Sequence, residues 1–379
     1  MKNVILQGDV IETLRTLPDG IVHTCVTSPP YWGLRDYGVP GQIGLESTPE
    51  EYVEKMVEVF REVRRVLRDD GTLWLNLGDS YASKPCGSIG RNAKVGNTKK
   101  AIQRSAGVSA GLKLKDLVGI PWRVAFALQA DGWYLRSDII WNKPNAMPES
   151  VKDRPTKAHE YIFLLAKSPR YYYDADAIRE PVSDEVMKRY KREKEKGMNN
   201  PLNHKYKDKP TVSDGFRSQY GARAYLEKGR NKRTVWSIPT KPFKGAHFAV
   251  FPPDLIEPCI LAGSPEKACP HCGAPWVRMT ERGEPIKMAH SNKIHKAQGR
   301  HGKTSVFNTG YIIERITTGW KPTCQCEGND GSGRGIVLDP FFGSGTTGVV
   351  AEKHGRQWIG IELNPEYVEI AKKRLEAGK

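Results

Sequence analysis

The chain has 379 residues, a formal net charge of +16 and seven cysteines. This length allows one large α/β domain with a smaller module, and since no run of about eighteen apolar residues exists, the composition excludes a membrane span. The first residues run directly into a strand-like segment, so we expect no signal peptide, reduced thiols and a cytoplasmic protein.

The positive charge is concentrated in two blocks. Residues 81–115 carry eight Lys/Arg and no acidic residue, and residues 171–245 carry eighteen Lys/Arg against ten Asp/Glu. These blocks account for the whole excess, which leaves the rest of the chain neutral. Such a distribution favours binding of a polyanion over general solubility, with solvated basic loops as the alternative.

The first elements lead to a conspicuous tetrapeptide. A strand at residues 4–6 is followed by Asp9, which is placed to cap a helix at residues 10–17. An apolar strand at residues 21–27 then runs into a motif made of Ser28, Pro29, Pro30 and Tyr31. The next residues, 33–38, are loop-like and are predicted either to close over a substrate or to pack at the sheet edge.

The middle of the chain alternates helices and strands. Thr48, Pro49 and Glu51 predict a capped helix start, and one apolar face continues to about residue 68. Residues 81–115 are Gly-, Ser- and Lys-rich and are predicted to order on a nucleic acid. The remaining elements are predicted at residues 72–77 (strand), 117–129 (helix), 133–141 (strand) and 161–166 (strand).

Near the C-terminus a strand, a glycine turn, a helix and a second strand follow one another. The first strand ends at Asp339, and the second, residues 358–361, ends at Glu362. This order is typical of a nucleotide pocket at the carboxyl edge of a parallel sheet, in which the terminal carboxylate bonds two ribose hydroxyls. A simple turn is the alternative. The candidate binding residues are Asp339, Pro340, Phe341, Gly343, Gly345, Thr346, Thr347 and Glu362.

Together these two motifs resemble the β class of DNA amino-methyltransferases. That family carries a catalytic signature [Asp/Ser/Asn]-Pro-Pro-[Tyr/Phe/Trp], matched by residues 28–31, and a cofactor loop Asp-x-Phe-x-Gly-x-Gly-Thr-Thr, matched by residues 339–347. The signature precedes the loop, which marks the permuted group. The resemblance implies an α/β, Rossmann-like S-adenosylmethionine methyltransferase fold with circularly permuted motif order.

The resemblance also implies residue roles. Ser28 and the Pro29 carbonyl accept hydrogen bonds from the base amine, Pro30 and Pro29 keep the turn rigid, and Tyr31 stacks on a base flipped out of double-stranded DNA. On the cofactor side, Asp9 lies near the adenine of S-adenosylmethionine. His247 and Phe251 border its methionine end, with core packing as the alternative for Phe251.

The resemblance also implies a division of the chain into functional segments. Residues 1–170 form the catalytic half, and residues 171–245 form a target-recognition region. The cofactor half consists of residues 246–265 and 336–379. Residues 266–335 are an inserted cysteine-rich segment that interrupts this half.

The insertion carries two cysteine pairs. Cys269 and Cys272, followed by Gly273, have the spacing of a zinc-knuckle turn, whereas Cys324 and Cys326 are separated by one residue. We expect a structural zinc held by the four thiolates, with free thiols or nearby histidines as alternatives. Cys259, which follows a proline, is predicted to be structural and not a nucleophile.

Ser28 also bears on the substrate. In the family, serine at the first signature position is associated with cytosine N4, and aspartate with adenine N6, so we expect an N4-cytosine enzyme with N6-adenine as the alternative. An RNA or small-molecule methyltransferase and a non-catalytic DNA-binding protein fit the motifs less well. The residues leave open whether a cognate restriction endonuclease exists and whether the protein is a homodimer.

Overall fold

The computed structural model describes residues 3–82, 111–183, 230–241, 251–287 and 310–377. Across these ranges, none of the helices combines the length and the apolar character that a membrane span requires. Backbone contacts separate two compact units. The first unit comprises Met1–Asp174, Arg233–Val277 and Pro322–Lys379, and the second comprises Ala175–Lys232 and Arg278–Lys321.

The α-helices of the described residues all belong to the first unit, where they alternate with strands. In chain order the strands and helices are β1 (Val4–Gln7), α1 (Val10–Arg15), β2 (Val22–Thr27), α2 (Pro49–Val66), β3 (Leu67–Leu77), α3 (Ile120–Ala130), β4 (Tyr134–Asn142), β5 (His159–Ala166), β6 (Val182–Ser183), β7 (Val235–Ser237), α4 (Pro253–Gly263), β8 (Trp276–Lys287), β9 (Gly310–Pro322), β10 (Ile336–Asp339), α5 (Thr346–Lys353), β11 (Gln357–Glu362) and α6 (Pro365–Ala377). A short 3-10 helix occupies Ala175–Ile178.

The first unit is built on an eight-stranded sheet with the order β1-β11-β10-β2-β3-β5-β4-β7. Strands β1, β11, β10, β2 and β3 run parallel, and β5 is antiparallel to both β3 and β4. From β10 the chain passes through α5 to β11, and from β2 it passes through α2 to β3. The two connections run in opposite directions along the strand order. The carboxyl ends of β10 and β2 therefore flank the switch point at which α/β sheets bind ligands.

Helices cover both faces of this sheet. Helices α1, α2 and α3 share one apolar core with residues such as Cys25 and Leu73. Helix α4 packs on the other face, where Gly263 lies against Thr24 and Thr72. Because both faces are covered, all six residues of β2 are buried. The predicted α/β architecture with a large parallel sheet is confirmed.

Two element boundaries differ from the prediction. The capping box of Thr48 and Glu51 is present, but α2 ends at Val66 and β3 begins at once with Leu67, five residues earlier than predicted. In the pairing of β2 with β3, Val22 lies opposite Leu67, but Thr24 lies opposite Thr72. The additional residues of β3 between these two pairs therefore form a bulge. Periodicity alone could not show this, since Leu67 continues the apolar face of the helix.

Helix α3 starts at Ile120, three residues later than predicted. The Asp79 carboxylate accepts hydrogen bonds from the backbone N–H groups of Gly119 and Ile120, and the Val118 N–H donates to the Ser80 carbonyl. These bonds hold residues 117–119 outside the helix, with Gly119 in the left-handed conformation at φ 79°. Most of the two basic blocks, residues 83–110 and 184–229, lies outside the described residues.

The second unit contains a three-stranded sheet with the order β6-β9-β8. Strands β6 and β9 pair antiparallel through Val182 with Tyr311 and Ser183 with Gly310. Outside the sheet, an isolated bridge joins Glu180 to Arg230, and the Arg230 side chain donates to the Glu180 carboxylate at 2.7 Å. The predicted target-recognition and cysteine-rich segments therefore contribute strands of their own.

Candidate active site

A cavity of about 1140 Å³, counting its open mouth, lies at the carboxyl ends of β1, β2, β10 and β11. Both sequence motifs line it, although they are separated by about three hundred residues. The predicted site residues in its lining are Ser28, Pro29, Pro30, Tyr31, Asp9, Phe251, Pro340, Phe341, Gly343, Thr346 and Glu362. His247 lies outside the described residues.

The glycine turn after β10 depends on two left-handed residues, Gly343 at φ 52° and Gly345 at φ 78°. A Cβ on Gly345 would also lie 3.1 Å from the Cβ of Ala371. Gly348, the third glycine after Asp339, belongs to α5, which begins at Thr346. Its lack of a side chain allows close packing, because a Cβ there would lie 2.8 Å from the Phe342 ring.

Asp339 holds this turn from behind the cavity. Its buried carboxylate accepts hydrogen bonds from Thr27 Oγ1 at 2.6 Å, Thr347 Oγ1 at 2.7 Å and the Phe341 N–H at 3.1 Å. Burial raises the pKa of Asp339 to about 6, and these three donors oppose that rise. Asp339, Gly345 and Thr347 lie outside the cavity lining and fix the positions of β2, the turn and α5.

Two carboxylates in the lining are partly engaged with the backbone. Glu362 accepts from the N–H groups of Gly343 at 2.7 Å and Asn364 at 2.8 Å, and burial raises its pKa. Asp9 caps α1 through the N–H groups of Ile11 and Glu12. Carboxylate oxygens have lone pairs beyond those used here, so both groups can still accept from a ligand. The capping role of Asp9 is thus compatible with its predicted binding role.

The hydroxyls of the catalytic motif form a chain. Tyr31 donates to Glu160 at 2.8 Å, and Ser28 Oγ donates to the Tyr31 hydroxyl at 3.4 Å. The Asn76 side-chain oxygen lies 3.2 Å from the same hydroxyl, and Lys143 pairs with the other Glu160 oxygen. Burial, followed by the Glu160 charge, raises the pKa of Tyr31 well above its usual range, so its proton stays in place.

Neighbouring residues fix the backbone and the ring of this motif. The Tyr52 hydroxyl donates to the Pro30 carbonyl at 2.9 Å, and Pro29 is buried. Gly78 lies directly against the Tyr31 ring, since a Cβ at position 78 would be 2.5 Å from Tyr31 Cε2. The tetrapeptide therefore has little freedom to move.

Sequence reasoning did not assign Asn76, Glu160 or Tyr52 to the site. Asn76 carries a recognisable signal, because it is a polar residue inside the apolar strand 73–77 and is buried. Glu160 precedes an apolar strand and could be noticed in the same way. Tyr52 gave no signal, since its apolar ring fits the buried face of α2.

The loop at residues 33–44 borders the cavity on the cofactor side. Its ends are joined by the Gly33 N–H and the Gly44 carbonyl at 2.9 Å. Tyr37, within the loop, packs edge-on against Tyr367 of α6 with ring centroids 6.3 Å apart, and both residues line the cavity. The loop thus covers part of the cavity.

The cysteines fall into separate environments. Cys259 is buried in α4 and lies outside the cavity lining, as expected for a structural residue. The sulfurs of the two predicted pairs lie within 4.8 Å of one another, and these residues are Cys269, Cys272, Cys324 and Cys326. None of the cysteines in the described residues is joined to another in a disulfide.

The cavity fits S-adenosylmethionine. Asp9 and Glu362 offer acceptors for hydroxyl and amino groups, Phe341 offers an apolar face, and the turn at Gly343 lets the backbone approach a ligand. Fold and site together define a Rossmann-like S-adenosylmethionine-dependent methyltransferase.

Comparison with known proteins identifies the family. The profile of the N6/N4 family described as DNA methylase matches residues 22–269 and 287–373. The type II methyltransferase M.Cfr9I of Citrobacter freundii is 43% identical over 372 residues, which cover 98% of this chain and 87% of the relative. M.SmaI of Serratia marcescens is 42% identical over 371 residues, covering 98% and 90%.

A solved structure shares the fold. The PvuII DNA methyltransferase, described as cytosine-N4-specific, matches with a TM-score of 0.50 at 16% identity, covering 98% of this chain and 85% of that one. The chain belongs to the N6/N4 family of DNA methylases. It is an S-adenosylmethionine-dependent enzyme that methylates DNA, as the sequence motifs predicted, and the RNA and non-catalytic alternatives are not supported.

Proposed function

We propose that this methyltransferase acts on the exocyclic N4 amine of a cytosine extruded from double-stranded DNA. Bound S-adenosylmethionine supplies a methyl group activated by its positive sulfur. The observation that carries the proposal is Ser28, a neutral hydroxyl in the cavity at the first position of the catalytic motif. Methylation of adenine N6 is the alternative outcome of the test below.

The hydrogen-bond chain supports an acceptor role for Ser28. A phenol has one proton, and the shorter contact assigns the Tyr31 proton to Glu160. The Tyr31 oxygen then accepts from Ser28, which commits the serine proton to Tyr31. Both lone pairs of Ser28 Oγ are left to accept an N–H of the amine. Lys143 balances the Glu160 charge at the far end of the chain.

These hydrogen-bond acceptors act on the amine, which is a poor nucleophile. The amine lone pair is conjugated with the ring, so the nitrogen must rehybridise before it attacks the methyl group. We propose that Ser28 and the Pro29 carbonyl bond both N–H groups, while the Tyr31 ring, fixed by Gly78, stacks on the base. Catalysis then comes from positioning and electrostatics, with no covalent enzyme intermediate.

We propose corresponding roles on the cofactor side. Glu362 accepts the ribose hydroxyls, Asp9 lies at the adenine, and Phe251 borders the methionine end, together with His247. The turn residues Pro340, Phe341, Gly343 and Thr346 contact the ligand directly, and the residues behind the turn, Asp339, Gly345 and Thr347, hold it in shape.

Product analysis tests the proposal directly. Purified protein is incubated with unmethylated DNA and S-adenosylmethionine, the DNA is digested to nucleosides, and the products are identified by mass spectrometry. We expect N4-methylcytosine, and much less of it from the Ser28→Ala control in the same incubation time. N6-methyladenine would overturn the base assignment and retain the enzyme class. No methylated base on any DNA would overturn the proposal as a whole.

We also propose that the protein protects DNA from a cognate restriction endonuclease, with the basic segments 81–115 and 171–245 contacting the duplex. The type II designation of M.Cfr9I and M.SmaI supports this proposal. Plasmid DNA from cells that express the enzyme should resist cleavage by one sequence-specific endonuclease. DNA that remains sensitive to every enzyme whose site contains a methylated base would contradict it. A homodimer remains a prediction.

A further inference from the structure

The four clustered cysteines have the arrangement of a metal site. Their sulfurs all lie within 4.8 Å of one another, although the two pairs are separated by roughly 50 residues. A tetrahedral ion with Zn–S bonds of about 2.3 Å places sulfurs about 3.8 Å apart. The cluster therefore needs at most a small contraction to enclose a single ion, and iron–sulfur clusters require a wider cage.

The backbone around the thiols is already shaped as a knuckle. The Gly273 N–H donates to the Cys269 carbonyl at 3.0 Å, and Gly273 is left-handed at φ 69°. Asn329 donates through Nδ2 to Cys324 Sγ at 3.3 Å, while its side-chain oxygen accepts from Trp276 Nε1 at 3.0 Å. Donors aimed at a sulfur are the outer shell expected around a thiolate that binds a metal.

The knuckle is bonded to the amino ends of the strands that carry the active site. His23 of β2 lies between the Gly273 carbonyl at 2.8 Å and the Ile336 N–H of β10 at 3.0 Å. Because Ile336 donates to Nδ1, the Nε2 atom carries the proton and donates to Gly273. Arg68 of β3 donates to the Cys272 carbonyl at 2.7 Å and pairs with Asp70.

We propose that Cys269, Cys272, Cys324 and Cys326 bind one zinc ion in a closed, structural tetrathiolate site. All four positions are filled by thiolates, which leaves none for water or substrate, and the site lies at the edge of the sheet opposite the cavity. The ion would join the two chain segments that flank the insertion. These segments leave the first unit at Val277 and return to it at Pro322. Through Gly273 and Cys272 the ion also braces β2, β3 and β10.

Metal analysis of the intact protein tests the site. Protein purified under reducing, chelator-free conditions should contain about one zinc per chain by mass spectrometry of metals, released by a mercurial thiol reagent. X-ray absorption should show four sulfur neighbours at about 2.3 Å. A zinc content below about 0.1, iron in its place, or disulfides among these cysteines would overturn the proposal.

Variants locate the ion. Cys326→Ser should lose zinc, whereas Cys259→Ala, a buried thiol outside the cluster, should retain it, as should His271→Ala, which removes an alternative ligand between the first pair. Zinc retention by Cys326→Ser would contradict the ligand set. If that variant does not fold, mercurial removal of zinc from the wild-type protein should lower its unfolding temperature. An unchanged temperature would contradict a bracing role.

Discussion

The cavity lies at the carboxyl ends of β2 and β10, whereas the cysteine cluster and its hydrogen bonds lie at their amino ends. At the carboxyl ends, Ser28 and Glu362 retain lone pairs for a ligand. At the amino ends, both ring nitrogens of His23 are bonded within the protein, and Arg68 donates to Cys272. Polar groups that line the cavity thus keep acceptors for a ligand, whereas those at the amino ends bond within the protein.

In this sheet, the residues proposed for the reaction and the residues of the cysteine cluster lie at opposite ends of the same strands. Backbone turns at the carboxyl ends must leave room and acceptors for ligands, which weakens their own packing. Closed contacts at the opposite edge can then stabilise the strands without entering the chemistry. Substitutions at the two edges should therefore separate activity from stability.

The largest effect on activity is expected from Ser28→Ala. Losing a group that acts on the reacting amine should lower the single-turnover rate about 10²- to 10³-fold, as for other preorganised polar groups in active sites. Cofactor affinity and unfolding temperature should remain unchanged. Methyl transfer from tritiated cofactor measures the rate, and Ser47→Ala, an exposed serine before α2, is the matched control. A rate within twofold of the wild type would remove Ser28 from the mechanism.

The next largest effect is a pair of opposite pH dependences of stability. Burial lowers the pKa of His23 to about 4, so the neutral ring stabilises the fold above pH about 6.5, and that stability is lost as the pH falls toward 4. Asp339, with its pKa raised to about 6, behaves in the opposite sense, because the folded state takes up its proton first and gains stability as the pH falls from about 6 to 4.

Two variants distinguish the stability contribution of His23 from that of Asp339. From pH 6.5 to 4, His23→Gln should gain stability relative to the wild type by roughly 3 kcal/mol, and Asp339→Asn should lose a similar amount, at about 1.4 kcal/mol per pH unit. Urea unfolding at several pH values measures both. Parallel changes in the two variants would contradict the assignment of one buried titrating group to each edge.

A smaller effect is expected from Glu362→Gln. The amide can accept only one of the two N–H groups, from Gly343 or Asn364, and it offers a weaker acceptor to the ribose. We expect S-adenosylmethionine to bind about 10-fold more weakly, close to the loss of one charged hydrogen bond. Calorimetry measures the affinity, with the exposed Glu366→Gln as control. Equal affinities for the two variants would place the ribose elsewhere.

An effect of similar size is expected at the Tyr31 ring. In Gly78→Ala the new methyl would lie 2.5 Å from Cε2, so the ring must shift within the pocket. We expect the single-turnover rate to fall about 10-fold, as a small displacement of a positioning group does, with cofactor affinity unchanged. Loss of cofactor binding without loss of rate would show that Gly78 supports the other half of the cavity.

Much of this arrangement could be predicted from local patterns. Strands β2 and β10 are apolar runs that end in recognisable motifs, so the sequence alone predicts Ser28 and Gly343 as site residues, and both line the cavity. Asp339 was assigned to the ligand, but its partners Thr27 and Thr347 lie on other elements, and their hydrogen bonds give it a supporting position. Contacts distant in sequence leave no periodic signal.

The same reason explains the residues that sequence reasoning missed. Glu160 reaches Tyr31 across 129 positions, and His23 reaches Gly273 across 250. His23 in particular reads as one polar residue in an apolar strand. The cysteine pairs were visible because their spacing is local, but their place at the amino ends of the strands was not.

The most direct measurement compares Ser28→Ala and Cys326→Ser side by side. For each purified variant, the unfolding temperature and the single-turnover rate per folded molecule are measured on the same DNA, well below the unfolding transition. We predict that Ser28→Ala has a much lower single-turnover rate and an unchanged unfolding temperature. Cys326→Ser should have a lower unfolding temperature and retain most of the single-turnover rate. Loss of both quantities in both variants would contradict the separation of function and stability between the two edges.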